Sequence, residues 1–205
     1  MRILIDATPL LVRSAGVKNY LYHWIDHLRR VAGPAQALAF PFLKDLGELR
    51  HDRSTLRAAS TLWRLGIVSA LNALDHGIIR LLVRNVDLFH VSNLVRDLPS
   101  GLTITATIHD LTCWLLPELH AKGNIEADRM FAEHILPHVR KFIAVSQCIK
   151  RDAVSIWGLS ERQIEVIYPG VDGAFFEASA SEGRRLARAY GVSRPYILFV
   201  GSIEP

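Results

Sequence analysis

The residues of this 205-residue chain that are best suited to chemistry are a histidine and an aspartate at the end of a predicted strand. The strand spans residues 103–108, and His109 and Asp110 come directly after it. An imidazole can donate or accept a proton or a hydrogen bond near neutral pH, and a neighbouring carboxylate can hold the loop or orient a substrate hydroxyl. This pair is therefore the leading catalytic candidate.

A second candidate site lies at the start of the first predicted helix, where Gly16, Val17 and Lys18 follow a short loop. A glycine there lets the backbone approach a ligand, and the free amide groups, the helix dipole and the lysine all suit a phosphate. A tight turn between strand and helix can also need a glycine for steric reasons alone. Both interpretations stay open.

Another predicted strand, residues 142–145, ends at Ser146 and is followed by a predicted helix over 147–157. The Ser146 hydroxyl can cap that helix or contact a ligand, and the sequence leaves both roles open.

Histidine and aspartate together also occur in metal-dependent phosphohydrolases, which need further histidine and aspartate ligands. His134 and His138 stand four residues apart, but Pro137 lies between them near a predicted helix end. We therefore interpret both as surface or capping histidines and expect no metal site.

The elements that position these residues alternate between strand and helix. Apolar segments predict strands at 3–5, 37–42, 86–91, 103–108, 142–145 and 164–167. Helical spacing of apolar residues predicts helices over 17–31, 54–83, 124–134 and 147–157, the first with Ser14 as a cap. This alternation predicts an α/β fold, a Rossmann-like parallel sheet with helices on both faces and ligands beyond the carboxyl ends of its strands.

A good part of the net charge of +4 lies in one region, residues 50–84, around the long predicted helix. Six arginines there alternate with apolar residues: Arg50, Arg53, Arg57, Arg64, Arg80 and Arg84. Such a helix can pack its apolar stripe on a core or lie on an anionic membrane surface, so peripheral membrane contact stays open. Nucleic acid is not an expected partner, because the aromatic side chains do not interleave with the arginines as a base-stacking platform requires.

The last residues predict that the chain is one domain of a larger protein. Residues 196–200 are typical of a buried strand, and the helix expected after it does not follow before Pro205. We expect a domain over 1–194 and, over 195–205, a linker and the first strand of a further domain. A strand without sheet neighbours could also pair with its copy in a second chain, giving a dimer of the fragment.

The amino terminus and the cysteines bear on location. Met1 and Arg2 lead directly into an apolar strand, which leaves no room for a signal peptide, and no apolar segment approaches the roughly 18 residues of a membrane span. Cys113 and Cys148 form no disulfide or metal motif. We expect a cytoplasmic protein that could be peripheral to the inner face of the membrane.

In their order and spacing, these motifs resemble the amino-terminal half of glycosyltransferase family 4 across nearly the whole chain. The matching segments are Ser14-Ala15-Gly16-Val17, Ile108-His109-Asp110-Leu111, Ala144-Val145-Ser146 with Asp152, Tyr168-Pro169-Gly170-Val171-Asp172, and Phe199 to Pro205. The resemblance implies a GT-B architecture, with two Rossmann-like domains facing one cleft. It also implies retaining transfer of a sugar from a nucleotide-sugar donor to a glycan, lipid or small-molecule acceptor, with no metal and no cofactor.

By this resemblance, Gly16 and Val17 would approach the donor diphosphate, with Lys18 and Ser146 also on the donor side. His109 would sit at the transferred sugar, and Asp110 would support its loop. The resemblance places the nucleotide-holding residues in a second domain, so we expect the isolated chain to be inactive.

The sequence departs from the family pattern in two places: its loop has one glycine where many members have two, and Lys18-Asn19 stand where Gly or Ala followed by Arg is usual. The alternative from another class is a noncatalytic Rossmann-like binding module, which could be membrane-associated. A metal-dependent phosphohydrolase is the third hypothesis.

Overall fold

The computed structural model describes residues 1–74, 79, 85–92, 94–96, 98–171, 173–177, 179–197 and 199. The chain divides into two compact units, Met1–Tyr168 and Pro169–Pro205, which we describe separately.

The first unit is built on a parallel sheet of six strands with the order β2-β1-β3-β4-β5-β6. The strands are β1 (Ile3–Asp6), β2 (Ala37–Phe40), β3 (Leu88–Val91), β4 (Thr103–Ile108), β5 (Lys141–Ala144) and β6 (Ile164–Val166). Because β1 lies between β2 and β3, the direction of winding reverses there. The crevice beyond the carboxyl ends of β1 and β3 is the place where open α/β sheets bind ligands.

Five helices of the first unit are described: α1 (Gly16–Ala32), α2 (Ala58–Leu74), α3 (Thr112–Leu115), α4 (Lys122–His134) and α5 (Gln147–Trp157). Short 3-10 turns cover Thr8–Leu11, Pro117–Leu119, Leu136–His138 and Glu161–Gln163. The predicted fold class, a Rossmann-like parallel sheet with helices, is confirmed. The predicted helix over 54–83 is present from Ala58 to Leu74, and most of its remainder lies outside the described residues.

The helices pack on two separate cores because successive strand residues point to opposite faces of the sheet. On one face, Ile5 of β1 packs with Leu21 and Ile25 of α1. On the other face, Leu4 of β1 lies in one cluster with the α2 residues Val68 and Leu71. Consequently α1 and α2 cover opposite sides of the sheet.

Two local predictions need correction. Ser14 does not cap α1, because the N-cap position is Ala15 and no side chain caps the helix. Strand β2 ends at Phe40 rather than at residue 42, since Pro41 follows and has no N–H to extend the ladder.

The second unit contains a 3-10 turn, Gly173–Phe175, and one described helix, α6 (Ala180–Ala189). Helix α6 begins after Ser179, whose hydroxyl accepts a hydrogen bond from the Glu182 amide at 3.2 Å. In the predicted strand over 196–200, the described residues Tyr196, Ile197 and Phe199 are exposed and outside regular secondary structure. Residues 198 and 200–205 lie outside the described residues. The domain boundary at residue 194 and the fragment dimer stay predictions.

Within the described ranges, no helix has both the length and the apolar composition needed to cross a membrane.

Candidate active site

Asp6, at the carboxyl end of β1, ties together the two strands on either side of the crevice. It is buried, and its Oδ1 accepts hydrogen bonds from the amide and hydroxyl of Thr8 at 2.9 and 2.6 Å. Its Oδ2 accepts from the amide of Ser92, just beyond β3, at 3.3 Å and from the Ser92 hydroxyl. Burial raises the pKa of Asp6, and these hydrogen bonds oppose that shift. The sequence analysis missed Asp6, although an acidic residue ending a buried strand was a signal.

His109 extends from the carboxyl end of β4 on the face of the sheet that α1 covers. Its half-buried ring packs edge-on against Tyr20 of α1, with 4.9 Å between ring centroids and an interplanar angle of 85°. Burial lowers the pKa of His109 from 6.5, and the neighbouring Asp110 carboxylate opposes part of that shift. The imidazole is therefore neutral at pH 7, with one nitrogen able to donate a hydrogen bond and the other able to accept one.

Asp110 is exposed and stabilises the turn that follows His109. Its Oδ1 accepts hydrogen bonds from the amide and the hydroxyl of Thr112, at 3.1 and 2.7 Å. This local contact holds the start of α3 against the end of β4.

The first turn of α1 offers backbone amides with open space above them. Gly16 is exposed, a Cβ built on it would meet no atom within 4 Å, and its backbone is not left-handed. Neither crowding nor conformation therefore requires a glycine, so the steric interpretation of Gly16 finds no support. No side chain caps the helix and no acidic residue lies in its first turn, so its dipole stays available to an anion.

Helix α1 brings this turn close to the histidine. Gly16 and Tyr20 are four residues apart, so they lie on one face of the helix one turn apart. Because the Tyr20 ring contacts His109, the first turn of α1 and the end of β4 border the same crevice. Val17, 37% exposed, belongs to this turn.

Lys18 does not share that environment. Its side chain is fully buried, and its Nζ donates hydrogen bonds to the carbonyls of Arg50 and Arg53 at 3.0 and 2.7 Å. Burial lowers the pKa of Lys18, and the charge of Asp52 opposes the shift. An ammonium shielded from solvent and held by two carbonyls is not placed to contact a donor phosphate, which corrects that prediction.

Ser146 caps α5: its hydroxyl accepts a hydrogen bond from the Ile149 amide at 3.2 Å. The capping interpretation is therefore confirmed. Ser146 also lies at the carboxyl end of β5, beside β4, and its contact with a ligand stays a prediction.

A buried polar cluster lies beneath His109 and was missed by the sequence analysis. His90 of β3 lies between two threonines of β4, with Nδ1 at 2.9 Å from Thr105 Oγ1 and Nε2 at 3.0 Å from Thr107 Oγ1. Trp24 of α1 packs edge-on against it at 4.6 Å. Burial, and less strongly the nearby His109, lowers the pKa of His90 to about 3. The spacing of residues 105, 107 and 109 was the available signal, since alternate strand residues share a face.

At the opposite, amino-terminal edge of the sheet, a cavity of about 580 Å³ opens before β4. Its lining includes Arg96, His134 and His138. Among the residues that the structure describes, no three His, Cys, Asp or Glu side chains gather as a metal site.

The sheet, its crevice and the loop after β4 together define a Rossmann-like α/β domain. The family model for Glycosyltransferase Family 4 matches residues 14–175. The chain belongs to Glycosyltransferase Family 4.

Solved structures agree with this fold. The crystal structure of Anabaena Alr3699/HepE in complex with UDP-glucose matches with a TM-score of 0.53 and 18% identity, over 94% of this chain and 50% of that one. The same Anabaena protein in complex with UDP matches with a TM-score of 0.50, also at 18% identity and over 94% and 50% of the two chains. The chain therefore spans about half the length of these structures. No curated protein matches the sequence.

Proposed function

We propose that this chain is the acceptor-side half of a retaining, metal-independent glycosyltransferase. It would move a sugar from a nucleotide-sugar donor to a glycan, lipid or small-molecule acceptor, and it would act in the cytoplasm. One observation carries the proposal: the contact between Tyr20 and His109 brings the open first turn of α1 beside the imidazole at the end of β4. Family membership supports the reaction class.

Each part of the crevice has a role that its chemistry suits. The neutral imidazole of His109 would hydrogen bond to the transferred sugar close to its reacting carbon. The amides of Gly16 and Val17, with the dipole of α1, would stabilise negative charge as it develops on the leaving diphosphate. Asp110 would keep His109 in place through its hydrogen bonds to Thr112.

With Lys18 committed to Arg50 and Arg53, this half of the site offers the diphosphate amides rather than a lysine ammonium. Side-chain cations would have to come from the second domain that the family resemblance implies. We therefore expect the 205-residue chain to bind nucleotide sugars weakly and to transfer nothing alone.

Titration calorimetry with UDP-glucose tests this division of the site. The isolated chain should bind with a dissociation constant well above the micromolar range, whereas the complete two-domain enzyme should bind its own donor more tightly and turn it over. Tight micromolar binding by the isolated chain, or transfer without the second domain, would show that the site is not divided.

The outer face of α2 supports a second role, contact with an anionic membrane surface. That face exposes Leu62, Trp63 and Leu74 by 69, 48 and 50%, and the Arg64 guanidinium lies over the Trp63 ring, 4.1 Å from its centroid. Exposed Arg53 and Arg57 precede the helix, and no acidic residue occurs from Arg53 to Leu74. Apolar and aromatic side chains flanked by arginines suit the headgroup region of an anionic bilayer.

Sedimentation with vesicles tests this role. The chain should bind vesicles of mixed phosphatidylglycerol and phosphatidylcholine but not of phosphatidylcholine alone, and Trp63→Ser should weaken the binding. Val31→Ser is the matched control, because Val31 is an exposed apolar residue on α1. Equal binding by both variants, or self-association through α2 without vesicles, would exclude the membrane role.

A further inference from the structure

A chain of polar contacts runs under the sheet surface from β4 to α1. Thr105 and Thr107 each contact one ring nitrogen of His90, at 2.9 and 3.0 Å. Burial raises the pKa of the Tyr20 hydroxyl, and a hydrogen bond with the Thr107 side chain opposes that rise. These contacts run in the order Thr105, His90, Thr107 and Tyr20. Three secondary-structure elements, β3, β4 and α1, contribute to it.

The chemistry of His90 sets the direction in which these hydrogen bonds donate and accept. His90 is only 5% exposed, and a neutral imidazole has one nitrogen that donates and one that accepts. In one tautomer, Nε2 of His90 accepts from the Thr107 hydroxyl, and the Thr107 oxygen can then accept a hydrogen bond from Tyr20. In the other tautomer, Nε2 donates to the Thr107 oxygen, and the Thr107 hydroxyl can then donate to Tyr20. In either tautomer His90 determines the role that Thr107 plays toward Tyr20.

Tyr20 connects these buried polar contacts to the crevice. Its ring packs edge-on against His109, and a stacked contact of 6.1 Å joins it to Trp24, which itself packs on His90. The position of the Tyr20 ring is thus held at one end by its hydroxyl and along its side by Trp24. Among the described residues, Tyr20 is the one aromatic side chain whose ring packs against His109.

We propose that His90 is a positioning residue for His109: through Thr107 it holds the Tyr20 hydroxyl and thereby fixes the ring against which His109 packs. His90 is too buried to touch a substrate, so it acts only through these contacts. The importance of the effect for catalysis rests on the proposed function of His109, but the positioning itself is a property of the chain without substrate.

A purely structural role for His90 makes a different prediction. If His90 only filled space between Trp24 and β4, then losing the Thr107 hydroxyl at constant volume would leave His109 unchanged. The Thr107→Val variant separates the two cases, because it removes the link and keeps the shape of the side chain. Thr107→Ser retains a hydroxyl and serves as the rescue variant.

Proton NMR of the His109 ring in the 205-residue chain is the readout. In Thr107→Val the pKa of His109 should rise toward its ordinary value of 6.5, because a less constrained Tyr20 ring admits water to the imidazole. Thr107→Ser should keep the wild-type midpoint. Thr103→Val, on the same strand and face but outside the chain of contacts, is the matched control and should also keep it.

Variants of His90 itself complete the test. His90→Leu should shift the His109 midpoint in the same direction, and His90→Gln, whose amide can still reach a threonine, should shift it less. The double variant Thr107→Val with Tyr20→Phe should shift the His109 midpoint no further than the larger single substitution does, since both substitutions break the same series of contacts. If the His90→Leu variant does not fold, the comparison of Thr107→Val with Thr107→Ser still decides between the positioning role and a purely structural one.

An unchanged His109 midpoint in folded Thr107→Val would overturn the proposal, as would additive effects of Thr107→Val and Tyr20→Phe. These outcomes are independent of the proposed function, which calorimetry with UDP-glucose tests separately. If the NMR results are as predicted but the donor site proves to be unrelated to His109, the positioning role of His90 stands and the proposed function of His109 is refuted.

Discussion

His90 should make the stability of the first unit depend on pH in a defined direction. Burial lowers its pKa to about 3 in the folded chain, whereas an unfolded histidine has a pKa of 6.5. Between these values the unfolded state binds more protons, so the free energy of unfolding must fall as the pH drops below 6.5. The loss levels off below about pH 3, where both states are protonated.

The size of the effect follows from the two pKa values. At pH 5 the unfolded histidine is almost fully protonated and the folded one is not, which lowers the free energy of unfolding by about 2 kcal/mol relative to pH 7. Since total stabilities of domains are roughly 5–15 kcal/mol, a change of this size is readily measured.

The measurement compares urea unfolding of the wild type and His90→Gln at pH 7 and pH 5. Glutamine does not titrate, so the wild type should lose about 2 kcal/mol more than the variant over this interval. Asp6 acts with the opposite sign, because its raised pKa favours the folded state as the pH falls, and His109 acts with the same sign as His90. Both groups are present in both proteins, so their contributions largely cancel in the difference.

Parallel unfolding curves, with no difference in pH dependence between the two proteins, would refute the assignment of His90 as a buried neutral histidine. A variant that lost more stability than the wild type on acidification would refute it as well. Val31→Gln, an exposed substitution on α1, is the control for substitution alone.

Three further predictions concern the crevice. The Gly16→Ala variant should fold with a free energy of unfolding unchanged within about 0.5 kcal/mol, because the added Cβ enters open space. The same substitution should weaken donor binding by the complete enzyme. A large loss of stability would restore the steric interpretation of Gly16. His109→Ala should lower turnover of the complete enzyme by at least about 100-fold while the circular dichroism spectrum stays the same, and wild-type turnover would end its assignment. Lys18→Met should destabilise the chain by roughly 1–3 kcal/mol in urea unfolding, because the carbonyls of Arg50 and Arg53 lose their donor, and should leave donor affinity unchanged.

Sequence patterns determined the elements and their order. Alternating apolar strands and amphipathic helices are local properties with fixed periods, and they predicted the parallel sheet and the position of His109 at a strand end. The helix over 147–157 was predicted with its observed bounds, because its apolar spacing and the serine before it are also local signals.

Tertiary structure alone decided which polar groups meet. The bond between Asp6 and Ser92 joins residues 86 positions apart, and His90 meets its threonines across two neighbouring strands. Lys18 looked available to a phosphate from its place beside Gly16, yet the loop before α2 supplies two carbonyls that bury it. Periodicity reports which face a residue occupies but not which distant groups share that face, because their approach depends on strand order and register.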